Sequence, residues 1–139
     1  MIYFVSGHRD LTKEEFDTHY VPLIDEIIRN DVFTEFVVGD WEGCDTMFIN
    51  FLLEQVDYPP VTIYHVEEEP RIKYGGESVL NCENIYTTKL HTYDECDARM
   101  TSDSKFDLAW IRPGREDSHT AKNIKRRYGL DNESTTQQS

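Results

Sequence analysis

The chain begins with the stretch Ile2–Asp10, IYFVSGHRD, in which an apolar run of β-type residues stops abruptly at a Ser-Gly pair. Thr12 follows as a helix N-cap, and Glu15 three residues later completes the pattern of a capping box. Apolar residues then recur at helical spacing over 13–29, with Pro22 in the middle. The sequence therefore predicts a strand, a tight turn and a helix that kinks at Pro22 or begins again there.

Strand and helix patterns go on alternating along the rest of the chain. Further β-type runs lie at 33–38, 61–66 and 106–111, and further helical patterns begin near Cys44 and span 92–100 and 119–128. This alternation predicts an α/β fold, a single Rossmann-like, doubly wound parallel sheet with strand order 3-2-1-4 and helices on both faces. We expect one domain over 1–130 with an irregular loop excursion at 67–91, followed by a polar tail at 131–139.

Composition excludes several classes of partner. The 139 residues have 14 Lys and Arg against 27 Asp and Glu, a formal charge of −13, which argues against general binding of nucleic-acid backbones. No apolar run approaches the ~20 residues that span a bilayer, so no membrane partner is expected. The first residues indicate a strand rather than a signal peptide, and the three widely spaced cysteines fit a reducing compartment. We therefore expect a cytoplasmic protein.

The turns after the predicted strands are the places to look for chemistry, because parallel sheets bind ligands at their carboxyl ends. Ser6, Gly7 and Arg9 form the first of these turns. A glycine directly after a strand lets the backbone approach a ligand closely. The alternative is a tight connection with an exposed polar tip.

The second turn is an acidic loop flanked by Gly39 and Gly43. Asp45 falls in the first turn of the following helix, where its carboxylate either complements the helix dipole or accepts ribose hydroxyls. Trp41 either stacks on a base or covers the end of the sheet. The sequence leaves both choices open.

The last turn is basic in an acidic chain. Residues 112–127 have six positive and two negative side chains, a local charge of +4, which leaves −17 for the remainder. Hydroxyls and free amides at a helix start complement an anion, so Arg112, Gly114, Ser118 and Thr120 predict a phosphate site. The three cations at 125–127 are expected only to complement the helix C-terminus. The histidines and cysteines lack metal-ligand spacing and no cofactor fingerprint is present, so neither metal nor cofactor is predicted.

Together these turns resemble the motifs of the SLOG superfamily, Rossmann-like domains that include the cytokinin-activating phosphoribohydrolases. The resemblance covers about residues 2–128 and rests on four short motifs in order: Ser6-Gly7-His8-Arg9; Gly39, Asp40, Gly43 and Asp45; Asp97, Met100 and Asp103; and Gly114, Ser118, Thr120 and Ala121. It implies binding of a nucleotide or nucleotide-derived small molecule. Phosphate is expected at Ser118–Thr120 with Arg112 or Arg9 as counter-ion, the sugar at Asp45, and the base beside Trp41 or the 67–91 loop.

The resemblance leaves the reaction open. His119 and Asn123 stand where the phosphoribohydrolase branch has a glycine and its catalytic glutamate, and a more distant likeness is to nucleoside deoxyribosyltransferases. The alternative function is therefore hydrolysis or transfer at the N-glycosidic bond of a nucleoside monophosphate. Asp45 and Asp97 are its candidate catalytic carboxylates, the latter only through the resemblance. A third hypothesis is an interaction protein with a degenerate pocket. The resemblance also leaves room for a homodimer.

Overall fold

The computed structural model describes residues 1–129, so the predicted polar tail at 131–139 lies outside the described residues. Its strands are β1 (Ile2–Ser6), β2 (Glu35–Val38), β3 (Val61–His65), β4 (Lys73–Tyr74), β5 (Glu77–Ser78), β6 (Ile85–Lys89) and β7 (Phe106–Ala109). Its helices are α1 (Lys13–His19), α2 (Val21–Asn30), α3 (Cys44–Leu53), α4 (Tyr93–Asp103) and α5 (His119–Arg127), with a 3₁₀ turn at Val79–Asn81. Within residues 1–129, no helix has the length and apolar character needed to cross a bilayer.

Five parallel strands form the main sheet in the order β6-β3-β2-β1-β7. The α/β class and the doubly wound parallel architecture are thus confirmed. The order 3-2-1-4 is incomplete, because β6 pairs with β3 and adds a strand that the sequence did not predict. The four predicted strands keep their relative order as β3-β2-β1-β7.

The excursion at 67–91 is more regular than expected. It contains the β4–β5 hairpin, the 3₁₀ turn and all of β6. No residue of β6 is buried, and Tyr86 in its centre is 57% exposed. An edge strand that buries so little lacks both the apolar run and the alternation by which strands are predicted, and this explains the error.

The start of the chain folds as its sequence predicts. Thr12 Oγ1 accepts a hydrogen bond from the Glu15 amide at 3.1 Å, and Glu15 Oε1 accepts one from the Thr12 amide at 3.0 Å. This reciprocal pair satisfies two amides that the helix itself leaves free. Pro22 lies in the first turn of α2, so the helical pattern begins again there rather than kinking.

Helices cover both faces of the sheet. On one face α1, α2 and α3 pack the larger apolar core, whose fully buried members include Phe16, Ile24, Phe36, Phe48, Leu52 and Ile63. On the other face α4 packs a smaller core made of Phe4, Val37, Tyr64, Cys96 and Met100. The neighbours β1 and β7 therefore lie between two layers, and α5 packs beside α4.

Two side chains join the ends of β1 and β7. The fully buried Tyr20 donates from its hydroxyl to the Ser6 carbonyl oxygen at 2.7 Å and accepts from the Trp110 amide at 3.0 Å. Two residues further along both segments, His8 Nε2 accepts from the Arg112 amide at 2.9 Å. These bonds satisfy backbone groups just beyond the ladder, where β1 and β7 part.

Replacing Tyr20 by phenylalanine tests this connection. Tyr20→Phe leaves the Ser6 carbonyl and the Trp110 amide without their partner, and we expect a loss of about 1–3 kcal/mol in the free energy of unfolding. Tyr86→Phe removes the same hydroxyl from an exposed position and should change stability by less than about 0.5 kcal/mol. Urea unfolding of both variants measures the difference, and equal effects would contradict the proposed connection.

Candidate functional site

A cleft of about 100 Å³ opens at the carboxyl ends of β1 and β2, beside α4 and α5. A second cavity of about 370 Å³ adjoins it and shares Gly7, Arg9, His119 and Thr120 with it. The cleft brings together most of the residues predicted to form the site: Ser6, Gly7, Arg9, Gly39, Trp41, Asp45, Asp97 and Thr120. Ser118 lines the adjoining cavity.

Three of the predicted site residues line neither the cleft nor the adjoining cavity. Arg112 is held away from it by ion pairs with Glu15 at 2.7 Å and Asp10 at 3.1 Å, so its guanidinium braces the turn after β7 rather than facing a phosphate in the cleft. Gly114 occupies an exposed turn with a φ of +91°. Gly43 has a φ of +81°, and a Cβ there would collide with the Arg9 carbonyl.

The glycines that do line the cleft are required by close packing. A Cβ on Gly7 would overlap the Cys44 and Tyr20 side chains. One on Gly39 would lie 2.9 Å from Asp45 Oδ2. Gly7 therefore has no room for a side chain where Tyr20 and α3 approach the sheet, whereas a side chain at Gly39 would require Asp45 to shift.

Asp45 is a buried carboxyl of the cleft that has no ion pair with any of the residues 1–129. It lies in the first turn of α3, is only 8% exposed, and its Oδ2 accepts a hydrogen bond from the Trp41 amide at 3.1 Å. Burial raises the pKa of Asp45 to about 7, and the nearby charges of Asp97 and Asp40 add to the rise. A carboxyl that is partly protonated at neutral pH interacts weakly with the helix dipole, which favours a role towards a ligand.

Asp97 reaches the same cleft from α4. Burial raises the pKa of Asp97 to about 6, while the charges of Arg126 and His119 oppose the rise. Two carboxyls that titrate near neutral pH thus line one cleft, and the charge of Asp97 affects the protonation of Asp45. Carboxyls with such pKa values are suited to general acid and base chemistry.

The Ser6 hydroxyl is an unpartnered polar group in the wall of the cleft. Ser6 is 7% exposed, and within residues 1–129 its Oγ has no hydrogen-bond partner. Buried polar groups without a partner are uncommon because their desolvation is uncompensated. The Ser6 hydroxyl oxygen is also inaccessible to solvent, so the missing partner is an uncompensated cost to the fold at the wall of the cleft.

Arg9 and the start of α5 form the part of the site that is suited to binding an anion. Arg9 is exposed and forms no ion pair with the residues that the structure describes. Ser118 Oγ caps α5 by accepting from the Ala121 amide at 3.2 Å. The amides of His119 and Thr120, the first two of the helix, have no intrahelical acceptor in an α-helix. A cation and two such amides are suited to binding an anion.

Two further residues of this region were missed by the sequence analysis. Arg71, from the loop after β3, stacks its guanidinium 4.1 Å from the Trp41 ring centroid and 4.8 Å from that of Tyr93. It also pairs with Asp40, whose side chain is fully buried, at 3.1 Å. Trp41 is contacted by Arg9 as well, at 4.3 Å. No sequence pattern pointed to either residue, because the partner of Arg71 is Asp40, 31 positions away.

Comparison with known proteins leaves the family open. The chain matches no protein-family model, no curated protein and no solved structure. The SLOG resemblance therefore stays a prediction.

Among residues 1–129, no three His, Cys, Asp or Glu side chains are placed to hold a metal ion together.

Asp45→Asn tests the burial of this carboxyl. The pKa is raised above its unfolded value near 4, so between about pH 4 and pH 7 the folded state binds more protons and its stability falls as pH rises. The asparagine variant lacks this loss, and its stability relative to the parent should increase by at least ~1.4 kcal/mol from pH 4 to pH 7.5.

Urea unfolding at several pH values measures the change, with Asp25→Asn as the control because Asp25 is exposed on α2. A stability difference between Asp45→Asn and the parent that does not vary with pH would show that the carboxyl has an ordinary pKa.

Proposed function

We propose that the cleft binds a nucleotide or nucleotide-derived small molecule at the carboxyl ends of the strands. The observation that carries this proposal is the set of groups that line the joined cavities. Arg9 and the start of α5 line both cavities, the carboxyls of Asp45 and Asp97 line the cleft, and aromatic rings form part of its wall. A phosphate, a sugar and a base offer the complementary groups.

The phosphate end rests on charge. Arg9, His119 and Thr120 line both the cleft and the adjoining cavity. The last two residues supply the first amides of α5. Because the chain as a whole has a charge of −13, most of its surface repels a phosphate. Binding of a phosphate therefore depends on these local groups, with Arg9 rather than Arg112 as the counter-ion.

The sugar and base ends rest on hydrogen bonding and shape. One Asp45 oxygen is engaged by the Trp41 amide, and the other is available to accept a sugar hydroxyl. Trp41 and Tyr93 have ring centroids 4.8 Å apart and form the aromatic part of the wall. A base packs against such a wall by stacking or edge contact.

A second candidate function is cleavage of an N-glycosidic bond. The raised pKa values of Asp45 and Asp97, about 7 and 6, favour it, because one carboxyl can be protonated while the other is charged. The charged carboxyl stabilises an oxocarbenium-like transition state, the protonated one donates a proton to the leaving base, and water, or the acceptor in a transfer reaction, bonds to the anomeric carbon that the base leaves. In this function the protein is a hydrolase or a transferase.

A cytoplasmic location is also part of the proposal. Cys44, Cys82 and Cys96 are all free thiols, as expected in a reducing compartment.

Calorimetry with nucleosides and their 5′-monophosphates tests the proposal. We expect at least one of the AMP, GMP, CMP and UMP series to bind about tenfold or more tightly than its nucleoside, the size of a charge-assisted hydrogen bond. Arg9→Gln should remove most of that difference. The matched control is Arg29→Gln, because Arg29 is an exposed arginine on α2 that does not line the cleft.

Equal affinity of the chain for nucleoside and monophosphate would contradict the proposed phosphate site. Absence of binding by all eight compounds would instead favour the interaction-protein hypothesis.

Base release separates the two candidate functions. If the chain cleaves the N-glycosidic bond, chromatography of a monophosphate incubated with it should show free base, and Asp45→Asn and Asp97→Asn should each reduce the rate by ~100-fold or more. Tight binding without any base release would leave ligand binding as the function.

A further inference from the structure

Asn123 is a buried residue of the cleft whose side-chain amide the protein uses only in part. It lies on α5, lines the cleft and is 4% exposed. Its Oδ1 accepts a hydrogen bond from Arg126 Nη1 at 2.7 Å. Within residues 1–129 its Nδ2 forms no hydrogen bond, yet this nitrogen is not among the unpartnered atoms that are closed off from solvent. An amide nitrogen that stays accessible on a buried cleft residue can donate to a molecule in the cleft.

Arg126 fixes the direction of that amide. The sequence predicted that Arg126 only complements the C-terminus of α5, but its guanidinium also bonds to Asn123, three residues earlier on the same helix. A guanidinium only donates hydrogen bonds, so the amide oxygen must face Arg126 and the amide nitrogen must point elsewhere. Among residues 1–129 Arg126 forms no ion pair, so no carboxylate competes with Asn123 for its donors.

Asp97 supplies an acceptor to the same cleft from the neighbouring helix. Helices α4 and α5 pack against each other, and Asp97 and Asn123 both line the cleft. The charge of Arg126 is near enough to lower the pKa of Asp97 against the effect of burial, although the two side chains form no ion pair. One helix thus offers a donor and the other an acceptor. A hydroxyl group suits such a pair, because it can accept one hydrogen bond and donate another.

The place of Asn123 on α5 indicates which part of a nucleotide it meets. Thr120, three residues earlier, lines both cavities at the proposed phosphate end. Residues three apart on a helix are neighbours on one face, with roughly 5–6 Å between their Cβ atoms. In a nucleoside 5′-monophosphate the group that follows the phosphate at this spacing is the sugar.

We propose that Asn123 and Asp97 together bind a hydroxyl group of the sugar, and that Arg126 positions the Asn123 amide. Asn123 donates a hydrogen bond to the hydroxyl oxygen, and Asp97 accepts one from the hydroxyl. An amide does not transfer protons, so Asn123 is a binding contact. This inference rests on the proposed nucleotide binding and adds a determinant of sugar recognition to it. Neither Asn123 nor Arg126 belongs to the site residues that the sequence predicted.

Deoxy analogues test this inference, because they change the ligand without changing its charge. The parent should bind the tightest of AMP, GMP, CMP and UMP about tenfold or more tightly than its 2′-deoxy or its 3′-deoxy analogue, which lacks both hydrogen bonds. In Asn123→Ala that affinity ratio should fall roughly three- to tenfold, since one of the two bonds is already absent. Calorimetry measures both ratios. A purely structural role of Asn123 would weaken both ligands equally and leave the ratio unchanged.

Arg126→Met tests the positioning role. It removes the donor that fixes the Asn123 amide, so the same ratio should fall towards the value for Asn123→Ala. The double variant should give the ratio of Asn123→Ala alone, because Arg126 acts through Asn123. A further fall in the double variant would show that Arg126 acts through Asp97 and would contradict the positioning role. The matched control is Lys125→Met, an exposed cation of α5 that lines neither cavity, and it should leave the ratio unchanged.

Each remaining outcome decides between the inference and the proposed function. If a monophosphate binds but the parent binds both deoxy analogues equally well, or if Asn123→Ala leaves the ratio unchanged, the inference is overturned while nucleotide binding stands. If Asn123→Ala does not fold, the ratio for Arg126→Met decides, since Arg126 is only partly buried in the last turn of α5. If no monophosphate binds the parent, the proposed function fails and this inference fails with it.

Discussion

The hydroxyl of Tyr20 is the contact on which the arrangement of the site depends. It joins the Ser6 carbonyl at the end of β1 to the Trp110 amide just beyond β7, at the point where the chain leaves these neighbouring strands in opposite directions. From β1 the chain enters the layer of α1, and from β7 it crosses to α5 on the other face. The two connections separate there, and the cleft lies between them.

The imidazole of His8 extends this contact by one residue pair. As an acceptor for the Arg112 amide, Nε2 must be unprotonated. Burial and the charges of Arg115 and Arg112 lower the pKa of His8, while Asp10 and Glu15 oppose them. The arginines are in turn paired with Asp10, so the basic turn after β7 is bound to the first turn of the chain. This explains why Arg112, the most prominent basic residue of that turn, is not free to meet a ligand.

Burial of acidic side chains is the main unfavourable contribution of the site to the free energy of folding. Asp45, Asp97 and Asp40 all border one cleft, and within residues 1–129 only Asp40 has a guanidinium paired with it. The other two respond by raised pKa values rather than by ion pairing. Natural proteins retain such unfavourable groups mostly where they serve a ligand or a reaction.

Patterns among residues close in sequence were enough to predict most of the fold and part of the site. The capping box at Thr12 and the alternation of strands and helices depend on neighbours in sequence and were predicted correctly, and the new helix near Pro22 is one of the two alternatives that the sequence left open. The turn residues Ser6, Gly39 and Asp45 could be placed together because parallel strands end at one edge.

Contacts that depend on distant residues could not be predicted. Strand β6 pairs with β3, and none of its residues is fully buried. Arg71 meets Asp40 across 31 positions, and Arg112 meets Glu15 across 97. No periodicity connects such pairs. Only the structure shows that Arg112 lies away from the cleft, that Tyr93 lines it and that Arg71 packs against Tyr93.

The most direct test of the account is an amide nitrogen–proton NMR titration of the chain with a nucleoside monophosphate. The account predicts saturable shifts concentrated at the amides of Gly7, Gly39 and Thr120, which surround the cleft from three different elements. Shifts concentrated elsewhere, for example in the groove between β7 and α5 around Phe106 and Tyr128, would contradict it. So would a spectrum that does not change at all.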